Sequence, residues 1–310
     1  MLLSYTIKKN KMASFVPPST LEIKDTIYSV CERQKDENGQ DIVKIIHDGE
    51  TTWLVVIDGH GKHRYGTLPA GKIDMITWLR TTFNWEELFK EINPENPISE
   101  LHFAIINEYD CTSGIGACCT IAKVTENKIT MWWVGDSTMK VYADKELVAE
   151  TRKILNTDSD EITRQSEHNL KINVEKTHNI KVLNETDLTM VESKYYLVKT
   201  SRGVDKVAVI QSLGHDLAYG LSNNKIEVEL ERGKKYKLVG ASDGLWDMIS
   251  NTESDAAMVT DENYDAVALV ELASQRWEQE WIYVWNDERT PGQKIPNPDD
   301  ICCVTLCKNI

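Results

Sequence analysis

Apolar residues follow two rhythms along this chain. In one they form short runs bounded by turn residues. Trp53-Leu54-Val55-Val56-Ile57 lies within Thr52–Asp58 and reads as a buried strand. Ala117–Val124, Lys128–Val134 and Thr138–Tyr142 are β-rich, with Glu126-Asn127 turning between the first two. Ile226–Leu230 alternates apolar with acidic residues, the mark of a half-buried strand. Lys237–Ala241 and Ile301–Cys307 are further strands. In the other rhythm apolar positions recur every three or four residues. Ile73–Ile92 shows it through Ile76, Leu79, Phe83, Leu88 and Phe89, and predicts helix with a break near Asn84. Ile98–Tyr109 predicts a second helix and Asp265–Trp281 a third. Trp277, Trp281 and Trp285 recur every four residues and read as one packed helix face. Trp132-Trp133 ends a strand run; one ring is expected in the core, the other at the rim or under a helix. Strands cluster with helices grouped between them, so the expected class is α+β with antiparallel sheets.

Composition narrows this picture. With 310 residues and no internal repeat or Gly/Ser linker, the chain is expected to be one domain over residues 21–310 behind a tail of residues 1–20. The polar stretch Asn156–Asn179 reads as a mobile surface excursion inside it. No apolar run approaches the roughly 18 residues of a membrane helix. Lys plus Arg is 35 against 49 for Asp plus Glu, a formal charge of −14. That balance argues against nucleic-acid binding and against a polybasic membrane contact. The seven cysteines form no CxxC pair, and Cys118-Cys119 and Cys302-Cys303 are neighbours whose side chains point to opposite faces of a strand. They read as packing thiols in a reducing compartment. Without a secretory signal pattern, the expected location is cytoplasmic or nuclear.

The candidate chemistry sits where strands end. Asp58 follows Trp53–Ile57 and precedes Gly59-His60-Gly61; Asp136 follows Met131–Val134 within Gly135-Asp136-Ser137. Asp243 follows Lys237–Ala241, and Asp299-Asp300 precede Ile301–Val304. A single Asp-Gly is ordinary turn chemistry. Several strand-end carboxylates that converge would repel one another unless protonated or bridged by a cation. All-oxygen donors select Mg²⁺, Mn²⁺ or Ca²⁺ over zinc.

In order, these segments resemble the metal-dependent Ser/Thr protein phosphatases of the PPM, or type 2C, class. Asp58-Gly59-His60-Gly61 is similar to that family's first metal motif, and Val134-Gly135-Asp136-Ser137 to its central Gly-Asp-Ser segment. Ala208–Gly214 is a degraded form of its Ala-Val-(Ser/Thr)-Arg segment. Ala241-Ser242-Asp243-Gly244-Leu245-Trp246-Asp247 is close to the late Asp-Gly-x-Trp-Asp motif. Asp299-Asp300-Ile301 resembles the terminal Asp-Asn-Ile strand, and Arg33 to Asn38 matches the early Arg-x-x-x-Glu-Asp spacing. The resemblance implies two antiparallel β-sheets in a sandwich flanked by helices, an αββα order with a metal cleft at one end. It implies a phosphoprotein Ser/Thr phosphatase using two Mg²⁺ or Mn²⁺ ions, with phosphorylated proteins as substrates. Asp58 would bridge the metals, with Glu37 and the Gly59 carbonyl on one ion and Asp243 and Asp299 on the other. Asp36 and Asp41 stand as alternatives to Glu37, and Asp110 lies near the position of a third-metal ligand. Arg33 would hold the phosphate, and His60 would be the general acid. Asp247 would support its turn rather than bind metal, and the Asn156–Asn179 stretch would be the substrate flap.

These roles suit the chemistry. A bidentate guanidinium fits a phosphoryl group, and a Ser or Thr alkoxide needs an acid to leave. Asn38, Gly116-Ala117-Cys118-Cys119, Ile210-Gln211, His215 and Asp300 depart from the family pattern. They motivate the alternative of an inactive pseudophosphatase that acts as a binding module.

Overall fold

The computed structural model describes residues 19–23, 25–34, 39–60, 73–109, 116–152, 173–183, 188–200, 203–207, 211–214, 221, 223–249, 252–285, 288–294 and 298–310. One sheet has six strands: β1 (Ser19–Ile23), β2 (Thr26–Arg33), β7 (Thr138–Ala143), β8 (Glu146–Glu150), β13 (Lys235–Ala241) and β16 (Ile301–Asn309). Their spatial order is β1-β2-β16-β13-β7-β8. A second sheet has β3 (Asp41–His47), β4 (Thr52–His60), β5 (Gly116–Val124), β6 (Lys128–Val134) and β12 (Asn224–Glu229), in the order β12-β6-β5-β4-β3. All pairings within both sheets are antiparallel. The expected strands are present at nearly the expected bounds.

Side-chain alternation divides each sheet into two faces. Val43, Leu54, Val56, Met131, Val141, Leu238, Val304 and Leu306 fill the space between the sheets. The opposite face of the second sheet presents Ile42, Trp53, Val55, Ile57, Ile121 and Trp132 to three helices, α1 (Met75–Thr81), α2 (Trp85–Glu91) and α3 (Pro97–Glu108). The outer face of the first sheet presents Cys31, Val239, Ala241, Ile301 and Cys303 to α4 (Asp243–Trp246), α5 (Glu253–Thr260) and α6 (Ala266–Glu278). The layers run helix, sheet, sheet, helix, the expected αββα sandwich. Both adjacent cysteine pairs split between layers as the alternation requires.

Asn84 makes the expected break. Its side chain accepts the Glu87 N–H at 3.2 Å and starts α2. Asp74 and Asp265 cap α1 and α6 in the same way. Trp132 and Trp133 are both buried.

Two expectations are corrected. The third helix stops at Glu278, and Trp281 and Trp285 lie on β14 (Glu280–Trp285), not on a helix face. A four-residue recurrence is also a multiple of two, so it fits one face of a strand as well as a helix. The run Glu280-Trp-Ile-Tyr-Val-Trp is rich in aromatic and β-branched residues, which favour the strand. Part of the polar stretch also differs: residues 156–172 lie outside the described residues, but Asn173–Leu183 forms β9. With β10 (Leu188–Thr200), β11 (Gly203–Val207), β14 and β15 (Glu288–Lys294) it makes a third antiparallel sheet, ordered β11-β10-β9-β14-β15. Sequence reading did not anticipate this sheet. No helix among the described residues is long and apolar enough to cross a membrane.

Candidate metal centre

The sandwich brings the strand-end acids together. Asp58 lies near the end of β4, on the face that Leu54 and Val56 turn toward the other sheet. Gly135 follows β6 with φ +84, a left-handed turn that glycine adopts without strain. A side chain there would also meet Cys118, since a Cβ would stand 2.3 Å from its Sγ. This turn delivers Asp136. Asp243 opens α4 directly after β13. Carboxylate oxygens of Asp58, Asp136 and Asp243 all lie within 4.8 Å of one another. The Asp243 N–H also approaches Asp58 Oδ2 at 3.4 Å.

The α4 turn is fastened from several sides. Ser242 N–H donates to the Cys302 carbonyl at 3.2 Å, and Cys302 N–H donates back to Ser242 Oγ at 3.1 Å. Trp246 Nε1 donates to the Thr138 carbonyl at 2.9 Å, and Trp277 Nε1 to the Gly244 carbonyl at 2.7 Å. Gly244 sits against β16 so closely that a Cβ would lie 1.9 Å from the Asp300 carbonyl oxygen. The late motif is therefore a bracket: Asp243 projects into the site, Gly244 permits the close approach and Trp246 anchors it. Asp247 N–H closes the turn onto the Asp243 carbonyl at 2.7 Å.

Asp299 and Asp300 stand beside this group. Asp299 Oδ1 accepts the Asp300 N–H at 2.9 Å, and Asp300 Oδ2 accepts the Gln40 N–H at 2.8 Å. Asp41 is the direct cross-strand partner of Asp58. Burial raises the Asp58 carboxyl well above the usual range, and Asp243, Asp41, Asp136 and Asp299 push it further the same way. Asp41 is raised first by burial, with Asp300, Asp299 and Glu32 adding to it and a Ser242 hydrogen bond opposing. The strongest charges acting on Asp58 are all carboxylates. A convergent, all-oxygen anionic set is what a hard divalent cation requires. The donor chemistry therefore fits Mg²⁺ or Mn²⁺.

The other sequence candidates take varied positions. Gly59 N–H donates to the Gln40 carbonyl at 3.0 Å, and a Cβ there would lie 2.6 Å from that oxygen, so only glycine fits. His60 ends β4 opposite Gly116, where a Cβ would lie 3.0 Å from the imidazole Nε2. Gly116 thus makes room for the ring. Arg33, at the end of β2, is half-buried and reaches Glu278 at 3.8 Å. Glu37, Asp36, Asn38 and Asp110 lie outside the described residues, as do Ala208–Ile210 and His215. Sequence reading placed Asp136 among the strand-end acids but gave it no ligand role; its signal was the Gly-Asp-Ser turn closing β6.

Glu32, on β2 behind the site, is buried and accepts the Val43 N–H at 2.8 Å. Burial is the main cause of its raised pKa. A carboxyl raised by folding contributes stability that is fully present below its unfolded pKa, about 4.3. That contribution is lost as pH rises through the higher folded value. Glu32→Gln is therefore expected to increase resistance to urea more at pH 7 than at pH 4, in metal-free buffer. An equal change at both pH values would show that Glu32 ionises normally in the native state.

No protein-family model matches the sequence, and no curated protein matches it. Solved structures do resemble the fold. The serine-threonine phosphatase 2C from Toxoplasma gondii superposes with a TM-score of 0.57 at 16% identity, over 96% of this chain and 99% of that one. A C. elegans sex determining protein gives 0.53 at 14% identity, over 90% of this chain and 64% of that one. A bacterial serine phosphatase gives 0.51 at 16%, over 92% and 98%. At such identities the likeness establishes a shared fold.

Proposed function

We propose that this chain, which has the fold of the type 2C phosphatases, is a metal-dependent protein phosphatase acting on phosphoserine or phosphothreonine. The observation that carries the reading is the convergence of Asp58, Asp136 and Asp243 within 4.8 Å at one end of the sandwich. Asp58 and Asp243, with Asp299, the Gly59 carbonyl and Glu37, are the residues that would hold two Mg²⁺ or Mn²⁺ ions, and Asp136 joins them. Bound there, the ions would lower the pKa of a water and neutralise charge on the phosphoryl oxygens.

The chain's own groups have the remaining work. His60, held at the strand end against Gly116, would give a proton to the departing Ser or Thr oxygen. Arg33 would exchange Glu278 for the substrate phosphate, a stronger partner for its bidentate fork. Its exposed ion pair at 3.8 Å is weak enough to give way. The strand ends position these groups on rigid elements, so little reorganisation is needed when substrate arrives.

The test is hydrolysis of a phosphothreonine peptide and an aryl phosphate by the full chain with Mn²⁺, with Mg²⁺ and with EDTA. Turnover is expected with either metal and should disappear with EDTA, then return when metal is added in excess. Turnover that survives EDTA would sink the metal reading. A second reading, a pseudophosphatase that binds a partner, draws on Arg33 being turned to Glu278 and on the sequence departures. It predicts Mn²⁺ binding by a folded chain with no phosphate release from any substrate.

A further inference from the structure

We propose that the outer face of the first sheet carries a binding site for a small organic acid, at the end of the strands away from the acidic cluster. The site is a cavity of about 680 Å³ walled by the residues that join α5 to α6, a volume usual for small-molecule sites. Two cross-strand rows make its floor. Thr20, Ser29 and Thr305 are direct partners on β1, β2 and β16. One step further, Ile27, Cys307, Lys237 and Tyr142 are partners on β2, β16, β13 and β7. Nearer the metal centre the same face is apolar, with Cys31, Cys303 and Val239 under the helices. Here it turns polar while staying covered: Ser29 and Thr305 are 2% exposed and Lys237 is 4% exposed.

Two groups on this floor point to a ligand. Ser29 Oγ is buried and has no hydrogen-bond partner among the described residues, a costly state for a hydroxyl. The Lys237 ammonium donates to the carbonyls of Asp261 and Tyr264, the latter at 2.7 Å. An ammonium has three donors, and the third finds no acceptor among the described residues. The acids at the cavity are engaged elsewhere or lie at its rim. Asp265 Oδ1 caps α6 by accepting the Ala268 N–H at 2.9 Å, Glu262 pairs with Lys235 at 2.9 Å, and Asp144 Oδ1 accepts the Lys235 N–H at 3.1 Å. Asp25 is exposed. The buried cation thus calls for one carboxylate. The buried hydroxyl stands two strands away, roughly 10 Å by strand spacing, and calls for a hydroxyl or carbonyl at the ligand's other end. Between them the ligand would cross Ile27 and Cys307, so its body is apolar.

The probe is para-hydroxyphenylacetate, titrated by calorimetry into the full chain in EDTA, where the acidic cluster repels a carboxylate. Saturable binding is expected. Lys237→Met should weaken it by about tenfold or more and Ser29→Ala by about threefold, the scales for a charged and a neutral hydrogen bond. The amide para-hydroxyphenylacetamide should lose as much as the Lys237 variant, and phenylacetate as much as the Ser29 variant. These two compounds read the charge and the hydroxyl on the wild-type chain, so the test stands even if a thermal scan shows Lys237→Met to be unfolded. No saturable binding by folded wild type at millimolar concentrations would overturn the proposal. So would equal binding of all three compounds, or binding unchanged by Ser29→Ala. None of these results bears on the metal reading of the other end of the sandwich.

Discussion

Asp58→Asn is expected to lower metal-dependent phosphate release by about two to three orders of magnitude or more, the scale for losing a group that stabilises transition-state charge. Asp58 lies between the two halves of the acidic set. Asp136 and Asp243 approach it on one side, and Asp41 pairs with it across the sheet. Asparagine keeps the shape and one oxygen but removes the charge that would bind both cations. The same change removes a half-buried carboxyl whose ionisation its acidic neighbours oppose, so the metal-free variant should unfold at the same temperature as wild type or higher. Steady-state kinetics with Mn²⁺, beside thermal unfolding in EDTA, separates the two effects. A variant that keeps activity within tenfold of wild type would displace Asp58 from the centre of the mechanism. A variant that is inactive because it is unfolded would leave the kinetic result without meaning, and the thermal scan detects that case.

Asp255→Ala should have the largest effect on stability, a loss of about 3–5 kcal/mol, because it takes the carboxylate partner from a partly buried guanidinium. Arg276 on α6 makes two parallel bonds to Asp255, at 2.7 and 2.8 Å, and donates to the Met248 carbonyl at 2.5 Å. Asp255 is 3% exposed. This fork ties the first turn of α5 to α6 and to the residues just after α4, so it braces the turn that presents Asp243. For a chain of this size the expected fall in Tm is roughly 5–15 °C. Replacing both partners with apolar residues, Asp255→Leu with Arg276→Met, should recover most of the loss, since neither charge is then left unpaired. Urea unfolding of the single and double variants reads this directly. A single variant within 1 kcal/mol of wild type (roughly the worth of a surface pair) would show that the fork is solvated and adds little.

How far the site was legible can be judged residue by residue. Asp58 and Asp243 stood out because each follows an apolar strand and is followed by glycine, and both glycines prove to be demanded by backbone contacts, Gly59 with Gln40 and Gly244 with Asp300. Asp136 carried the same strand-end signal, but nothing local says that its turn points toward β4 rather than away. Asp41 was one of several acids near Arg33. Its inward face and its pairing with Asp58 depend on the register of β3 against β4, which a short sequence window does not encode. The Trp281 and Trp285 positions were misread because a four-residue spacing satisfies both periods, and the strand partner β9 lies about a hundred residues earlier in the chain.

The sequence by itself determined the apolar runs of β4, β5, β6, β13 and β16, the helical faces of α1 to α3 and α6, and the order of strand-end acids along the chain. These follow from local periodicity, because a strand or helix must bury one face whatever it packs against. Only the tertiary structure decided which acids meet, which share an inward face and which strands build the third sheet. Those depend on long-range pairing and register, where a shift of one residue would turn Asp41 and Asp58 out of the cleft.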